Sequence, residues 1–149
     1  MEITVIKAVH EDKRFLLSLR KATMTNHLAT AGLFLSKDEH LSRIALFFDT
    51  TFIIRIANKN AGMLKYVQNK EKTEIVQLQI LPKYQGKGVG KYIVNYMIQK
   101  SLDLKSRLML KVLKQNPAVR LYERCGFQIV DQDTHEFYME YILDSTRDT

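Results

Sequence analysis

PKYQGKGVG, residues 82–90, decides how this chain is read. Gly86, Gly88 and Gly90 stand at alternate positions, with Lys83, Lys87 and Lys91 between and around them. TEIVQLQIL, residues 73–81, precedes the stretch as a β-rich run that Pro82 stops. Downstream, Val89, Ile93, Tyr96 and Met97 fall at i, i+4, i+7 and i+8, which predicts a helix to about Leu102 with those side chains inward. Glycine admits backbone shapes and close approaches that other residues do not. A helix N-terminus adds unpaired N–H groups and about half a positive charge. Strand, proline, glycine loop and helix therefore make either a solvated turn or a cradle for an anion. The loop is not a Walker sequence, which needs Gly-x4-Gly-Lys-Ser/Thr. Nor is it the dinucleotide fingerprint, since it reads G-x-G-x-G and not G-x-G-x-x-G.

The remaining elements follow from periodicity and turn chemistry. EITVIKAV (2–9) reads as a first strand, and Phe15, Leu16 and Leu19 mark one face of a helix from about Asp12 to Met24. Ser36-Lys-Asp-Glu39 has the form of a capping box, opening a helix that carries Leu41, Ile44, Ala45 and Phe48 inward. TFIIRIAN (51–58), KNAG and MLKYVQN (63–69) predict a hairpin with its turn at KNAG. RLMLKVL (107–113) is a buried-type strand. Asn116-Pro117 then caps and opens a short helix to Arg124, which Gly126 ends. FQIV and HEFYMEYIL are two closing strands. The order β-α-α-β-β-β-α-β-α-β-β predicts a mixed sheet with helices on both faces, in a single domain over residues 1–149 with no repeat or linker.

Composition narrows the class of partner. The 149 residues are 46% apolar and 26% charged, ordinary for a globular protein. No apolar run reaches the ~18 residues of a membrane span. The N-terminus lacks a secretory pattern, and a single cysteine, Cys125, fits a reducing cytoplasm. The net charge of +7 comes from 23 Lys and Arg spread along the chain. Charge scattered in this way reads first as solvated surface, and the densest cluster is interleaved with glycine and not with stacking aromatics, which counts against nucleic acid. His10, His40 and His135 show no metal-ligand spacing, and no metal is expected. Cys125 has no histidine close in sequence and reads as a packing residue.

A second motif lies about 25 residues beyond the glycine loop: NPAVRLYERCGF, residues 116–127. Asn116 is a helix cap, alone or with a ligand contact besides. Tyr122 is a core residue or a proton donor at the edge of a site. Gln85-Gly86-Lys87-Gly88-Val89-Gly90 followed by this N-x-x-A-x-x-L-Y-E-x-x-G-F pattern resembles the GNAT N-acetyltransferase superfamily, and the element order resembles that fold along essentially the whole chain.

The resemblance implies a mostly antiparallel mixed sheet of about seven strands flanked by about four helices. It implies acetyl-CoA as cosubstrate, held by the amides of Gln85, Gly86, Lys87, Gly88, Val89 and Gly90, with Lys91 at the helix start. It implies further that Ile80 and Leu81 pair with the pantetheine arm, that Asn116 touches the cofactor, and that Tyr122 is the general acid for direct transfer to an amine. The family's strand carboxylate is not matched: Val76-Gln77-Leu78-Gln79 stands there. Glu74, a histidine at the pocket edge (His27), or water held by Gln77 or Gln79 are the open choices for the base. The acceptor is an amine on a small molecule or a protein, and the chain is a monomer or a homodimer. A coenzyme A-binding protein of this fold with a recognition role and little catalysis is the second reading.

Overall fold

The computed structural model describes residues 1–23 and 36–142. Its strands are β1 (Ile3–Lys7), β2 (Thr51–Ile56), β3 (Lys59–Gln68), β4 (Lys72–Ile80), β5 (Arg107–Leu113), β6 (Phe127–Gln132) and β7 (Glu136–Tyr141). They form a 7-stranded sheet in the order β1-β2-β3-β4-β5-β7-β6. Every neighbouring pair is antiparallel except β4–β5. The helices among the described residues are α1 (Lys13–Thr23), α2 (Lys37–Ala45), α3 (Val89–Asp103) and α4 (Ala118–Arg124). The element order is the one the sequence predicts.

Helices cover both faces. On one, Val89, Ile93, Val94 and Met97 of α3 and Tyr122 of α4 pack with Ile54, Leu64, Tyr66, Ile75, Leu110 and Val112. On the other, Leu16 and Leu19 of α1 and Ile44 of α2 pack with Ile53 and Met63. The Ser36 box forms as predicted: Ser36 Oγ accepts from Glu39 N at 3.2 Å, and Glu39 Oε1 accepts from Ser36 N at 3.2 Å.

Local readings are corrected in three places. The hairpin turn is Ala57-Asn58, both left-handed (φ 49° and 67°), whereas KNAG lies inside β3. Asn tolerates that conformation, and the two-residue turn follows the twist of the strands. In α2 it is His40, not Leu41 or Ala45, that joins Ile44 in the interior; Leu41 and Ala45 are exposed. In α3 Tyr96 is exposed and Val94 takes its inward place, because the helix is covered across a wider stripe than one face of the pattern.

Two irregularities shape the centre of the sheet. Ile54 pairs with Gly62 but Arg55 with Asn60, so Ala61 bulges from β3. Lys65 pairs with Gln77 but Tyr66 with Ile75, so Val76 bulges from β4. A bulge bends its strand and raises its twist. Past this bend β4 leaves β5: their pairing runs only from Lys72↔Arg107 to Ile75↔Leu110. The rest of β4, Val76 to Ile80, has no partner on that side.

Candidate active site

The backbone of β4 sets which groups are free in that opening. Leu81 N donates to Ala61 O at 2.8 Å. By the alternation of an antiparallel ladder, Gln79 and Leu81 direct their backbone groups to β3, and Leu78 and Ile80 direct theirs into the gap toward β5. The Ile80 carbonyl accepts from Gln85 Nε2 at 2.9 Å. Ile80 thus keeps its N–H toward the gap, whereas the Leu81 N–H is committed to the sheet.

Beyond β4, Pro82–Tyr84 form one 3-10 turn, in which Gln85 N donates to Pro82 O at 3.1 Å. Gly86 and Gly88 follow with φ of 73° and 85°, and a β-carbon on either would meet nothing within 4 Å. These glycines are required by backbone conformation, and the space before them is open. Gly90 differs: a β-carbon there would lie 3.0 Å from Leu121 Cδ2, so it lets α3 pack on α4. Gly88 is the N-cap of the 15-residue α3 and brings no side chain to its first turn. Among the described residues the N–H groups of Gly86, Lys87 and Gly88 have no backbone acceptor, and those of Val89 and Gly90 are first-turn donors. Lys83 and Lys87 lie 5.0 and 6.0 Å from the Tyr84 ring centroid, keeping their charge beside the loop. Lys91 is exposed at the start of α3.

A cavity of about 880 Å³ fills the gap between β4 and β5 and extends toward α1 and α2. Tyr122, Asn116, Glu74, Gln77 and Gln79 all line it, so the structure brings these site residues together. Tyr122 is buried, its ring centroid 5.8 Å from that of Phe127. Burial pushes its phenol well above the ordinary value, with Cys125 adding to the rise. Asn116 is a cap: its Oδ1 accepts from Ala118 N at 2.9 Å, which leaves its amide N–H groups for another partner. Gln77 stands opposite Lys65, and Gln79 opposite Met63, so both glutamines face α1 and α2. Glu74 precedes Ile75, which packs beneath α3, and so points to the same side as the glutamines. His27 lies outside the described residues.

Three cavity residues had no clear signal in the sequence. Glu136, at the start of β7, is brought in by its pairing with Leu113. Burial raises its carboxyl pKa, and Asp133 adds to the rise. Lys65 is 1% exposed, and its Nζ donates to the carbonyls of Arg43, Ile44 and Leu46 at 2.8, 3.2 and 2.6 Å, closing the end of α2. Burial, and then Arg20, lower its pKa to about 8. Arg20, in the last turn of α1, is 3% exposed and donates from Nε to His40 Nδ1 at 3.0 Å. Alternation marks Lys65 as facing away from the α3 core, but a lone lysine in a strand gives no notice that three carbonyls await it.

The Acetyltransferase (GNAT) family matches residues 16–127, which include the glycine loop, α3, β5 and α4. The chain belongs to the GNAT acetyltransferase family. A curated protein, Spermidine N(1)-acetyltransferase of Vibrio cholerae serotype O1, is 30% identical over 94 residues, 59% of this chain and 54% of that protein. The chain thus spans about half the length of that relative. The fold matches the PaiA N-acetyltransferase of Thermoplasma acidophilum, solved in complex with coenzyme A: TM-score 0.75, 20% identity, 96% of this chain and 100% of that one. It also matches a GNAT family acetyltransferase of Bacillus anthracis, with TM-score 0.73, 14% identity, and 96% and 95% of the two chains. The seven-stranded sheet with helices on both faces is the GNAT fold. No helix among the described residues is long and apolar enough to cross a membrane.

Proposed function

We propose that this protein transfers the acetyl group of acetyl-coenzyme A directly to an amine. The observation that carries the reading is the gap between β4 and β5, with free backbone on one wall, Tyr122 on the other and the amide-rich start of α3 beyond it. Bound there, acetyl-coenzyme A supplies an activated acetyl thioester and a diphosphate. The amides of Gly86, Lys87, Gly88, Val89 and Gly90 hold the diphosphate, with Lys91 beside them. Gln85 contributes by fixing the Ile80 carbonyl, since its own N–H is engaged with Pro82. The pantetheine arm lies along Leu78 and Ile80, with Leu81 adding side-chain packing only. An N–H of that wall polarises the thioester carbonyl, as acyl transfer requires. Asn116 donates to the cofactor from the amide nitrogen its cap leaves free.

In the transfer the amine nitrogen bonds to the carbonyl carbon and the C–S bond breaks, its electron pair staying on sulfur. Tyr122 gives that sulfur a proton. Burial keeps the phenol protonated and so available as a donor; it makes the phenol a weaker acid, and the cost of a bare thiolate in the same enclosed site is what draws the proton to sulfur. The amine loses its proton to a cavity carboxylate, directly or through water held by Gln77 or Gln79. Glu136, whose carboxyl burial raises above the ordinary carboxylate range, and Glu74 both line the cavity and are the carboxylates in reach of that task. A reducing cytoplasm, and a monomer or a dimer through the β6 edge where Ile129 and Val130 are exposed, complete the reading.

Thiol release from acetyl-coenzyme A across a panel of amines tests it. Tyr122→Phe is expected to bind coenzyme A normally, to melt close to wild type and to lose about 10²-fold or more in kcat. Binding of coenzyme A with no thiol release on any amine would favour a recognition role instead.

A further inference from the structure

Among the described residues Arg20 stands out as a buried cation without an ion-pair partner. Its Nη1 has no hydrogen-bond partner among the described residues, and its Nε is spent on a neutral acceptor, His40 Nδ1. The nearest charges that act on it are cations: Arg43 depresses its pKa further after burial has done so, to about 10. The ion pair among the described residues, Arg107–Glu140, lies elsewhere, between β5 and β7. Lys65, beside Arg20, is saturated by three helix carbonyls. Yet Arg20 lines the cavity, with its unanswered Nη1 buried in the wall of the space where the acceptor must sit.

Gln79 is a second, independent sign. It is 5% exposed, and both Nε2 and Oε1 of its amide are buried without partners. It lines the same cavity and faces the same helices, α1 and α2. The large majority of buried polar groups in native proteins are hydrogen-bonded, and open ones beside a cavity call for a partner from outside the protein, a ligand or water. A guanidinium takes a carboxylate in a charge-assisted, fork-shaped pair, and an amide offers both a donor and an acceptor. The cavity also holds carboxylates, Glu39 and Glu74 together with Asp133 and Glu136 at the β6–β7 turn, where Lys111 lines it too. Its wall thus carries charges of both signs, with Arg20 and Gln79 the groups left with unpartnered atoms among the described residues.

We propose that the acceptor is an amine that carries its own carboxylate, an amino acid or a close relative of one. The Arg20 guanidinium anchors that carboxylate, the Gln79 amide is the second donor, and the amine points toward the thioester and the cavity carboxylates. The proposal rests on the acetyltransferase reading, and it excludes a polyamine as the preferred acceptor, because a polycation would place positive charge against Arg20.

Matched pairs of acceptors test it: amino acids, the same molecules without the carboxylate (lysine and cadaverine, for example), and spermidine. Wild type is expected to show kcat/KM at least about tenfold higher for the carboxylate-bearing member of a pair, mostly through KM. In Arg20→Gln that preference is expected to fall by about 10–100-fold, and Arg20→Lys is expected to keep part of it. Gln79→Leu, which adds no charge, is expected to reduce the same preference if Arg20→Gln does not fold. Preference for spermidine or for the decarboxylated partners, or a preference unchanged in both variants, overturns the proposal. A second readout does not need turnover: thermal stabilisation by an N-acetyl amino acid against the N-acetyl amine lacking the carboxylate. Stabilisation by the former alone, lost in Arg20→Gln, upholds the anchor even if no amine is acetylated, an outcome that would sink only the acetyltransferase reading. Equal response to both compounds sinks the anchor.

Discussion

A β-carbon placed on Gly62 would overlap the carbonyl oxygen of Gln79 and lie 3.1 Å from Ile80 Cδ1. The cause is the bulge at Ala61, which brings β3 close to β4 where β4 turns away from β5. A glycine is needed there for proximity, and its φ is not positive. Gly62→Ala is expected to lower stability by ~1–3 kcal/mol through a forced backbone shift. That corresponds to a fall in Tm of roughly 2–4 °C per kcal/mol for a chain of this size, read by thermal denaturation. Turnover should suffer more than stability does, because the displaced segment is the wall proposed to align the thioester. Single atoms decide as much at Tyr122, whose phenolic oxygen distinguishes a core ring from a proton donor.

Helices α2 and α4 are each held by one polar side chain that also lines the cavity. Lys65 reaches from β3 to close the C-terminus of α2. Its pKa of about 8 lies below the ordinary 10.5, so between those values the unfolded chain binds more protons than the folded one. Stability from this group therefore rises as pH climbs through that window, by ~1–3 kcal/mol. Urea denaturation of wild type and Lys65→Met at several pH values isolates it: the difference between the two curves should carry the rise. At pH 7 the variant should be less stable by about 2 kcal/mol, since the three carbonyls lose their donor. For α4 the two possible roles of Asn116 separate chemically. Asn116→Asp keeps an oxygen to accept from Ala118 N and so keeps the cap, while losing the amide N–H groups. It should retain stability yet bind coenzyme A more weakly. Asn116→Ala should lose both, with about 1 kcal/mol from the cap. Equal coenzyme A affinity in Asn116→Asp and wild type, by titration calorimetry, would leave Asn116 with its structural duty alone.

At the scale of the molecule, the two halves of the sheet are joined by pairing at one end only of a gap that ordinary β-structure would close. A ligand that spans the gap from the start of α3 to Tyr122 ties the β1–β4 half to the β5–β7 half. Coenzyme A at 100 times its dissociation constant should then stabilise the fold by ~2.7 kcal/mol, raising Tm by roughly 5–10 °C. Because much of the attraction is between a diphosphate and a chain of net charge +7, the shift should shrink as salt rises. A Tm that does not move with coenzyme A would contradict the proposed anchor at Gly86–Gly90.

What the sequence determined by itself was local and periodic. Strand alternation, the capping box at Ser36, the Asn116 cap and the two glycine-bearing motifs fixed the element order and the family, because each depends on residues a few positions apart. The hairpin turn was misplaced, since Ala57 and Asn58 announce a left-handed turn less clearly than KNAG does. The gap between β4 and β5 follows a bulge at Val76 that depends on how β3 and β4 register, which no local pattern shows. The lining of the cavity was decided by tertiary structure alone. Arg20, Lys65, Gln79 and Glu136 come from four separate elements, and whether each is answered or left open depends on neighbours far away in the chain. Burial and charge balance are properties of assembled surfaces, which no local pattern encodes.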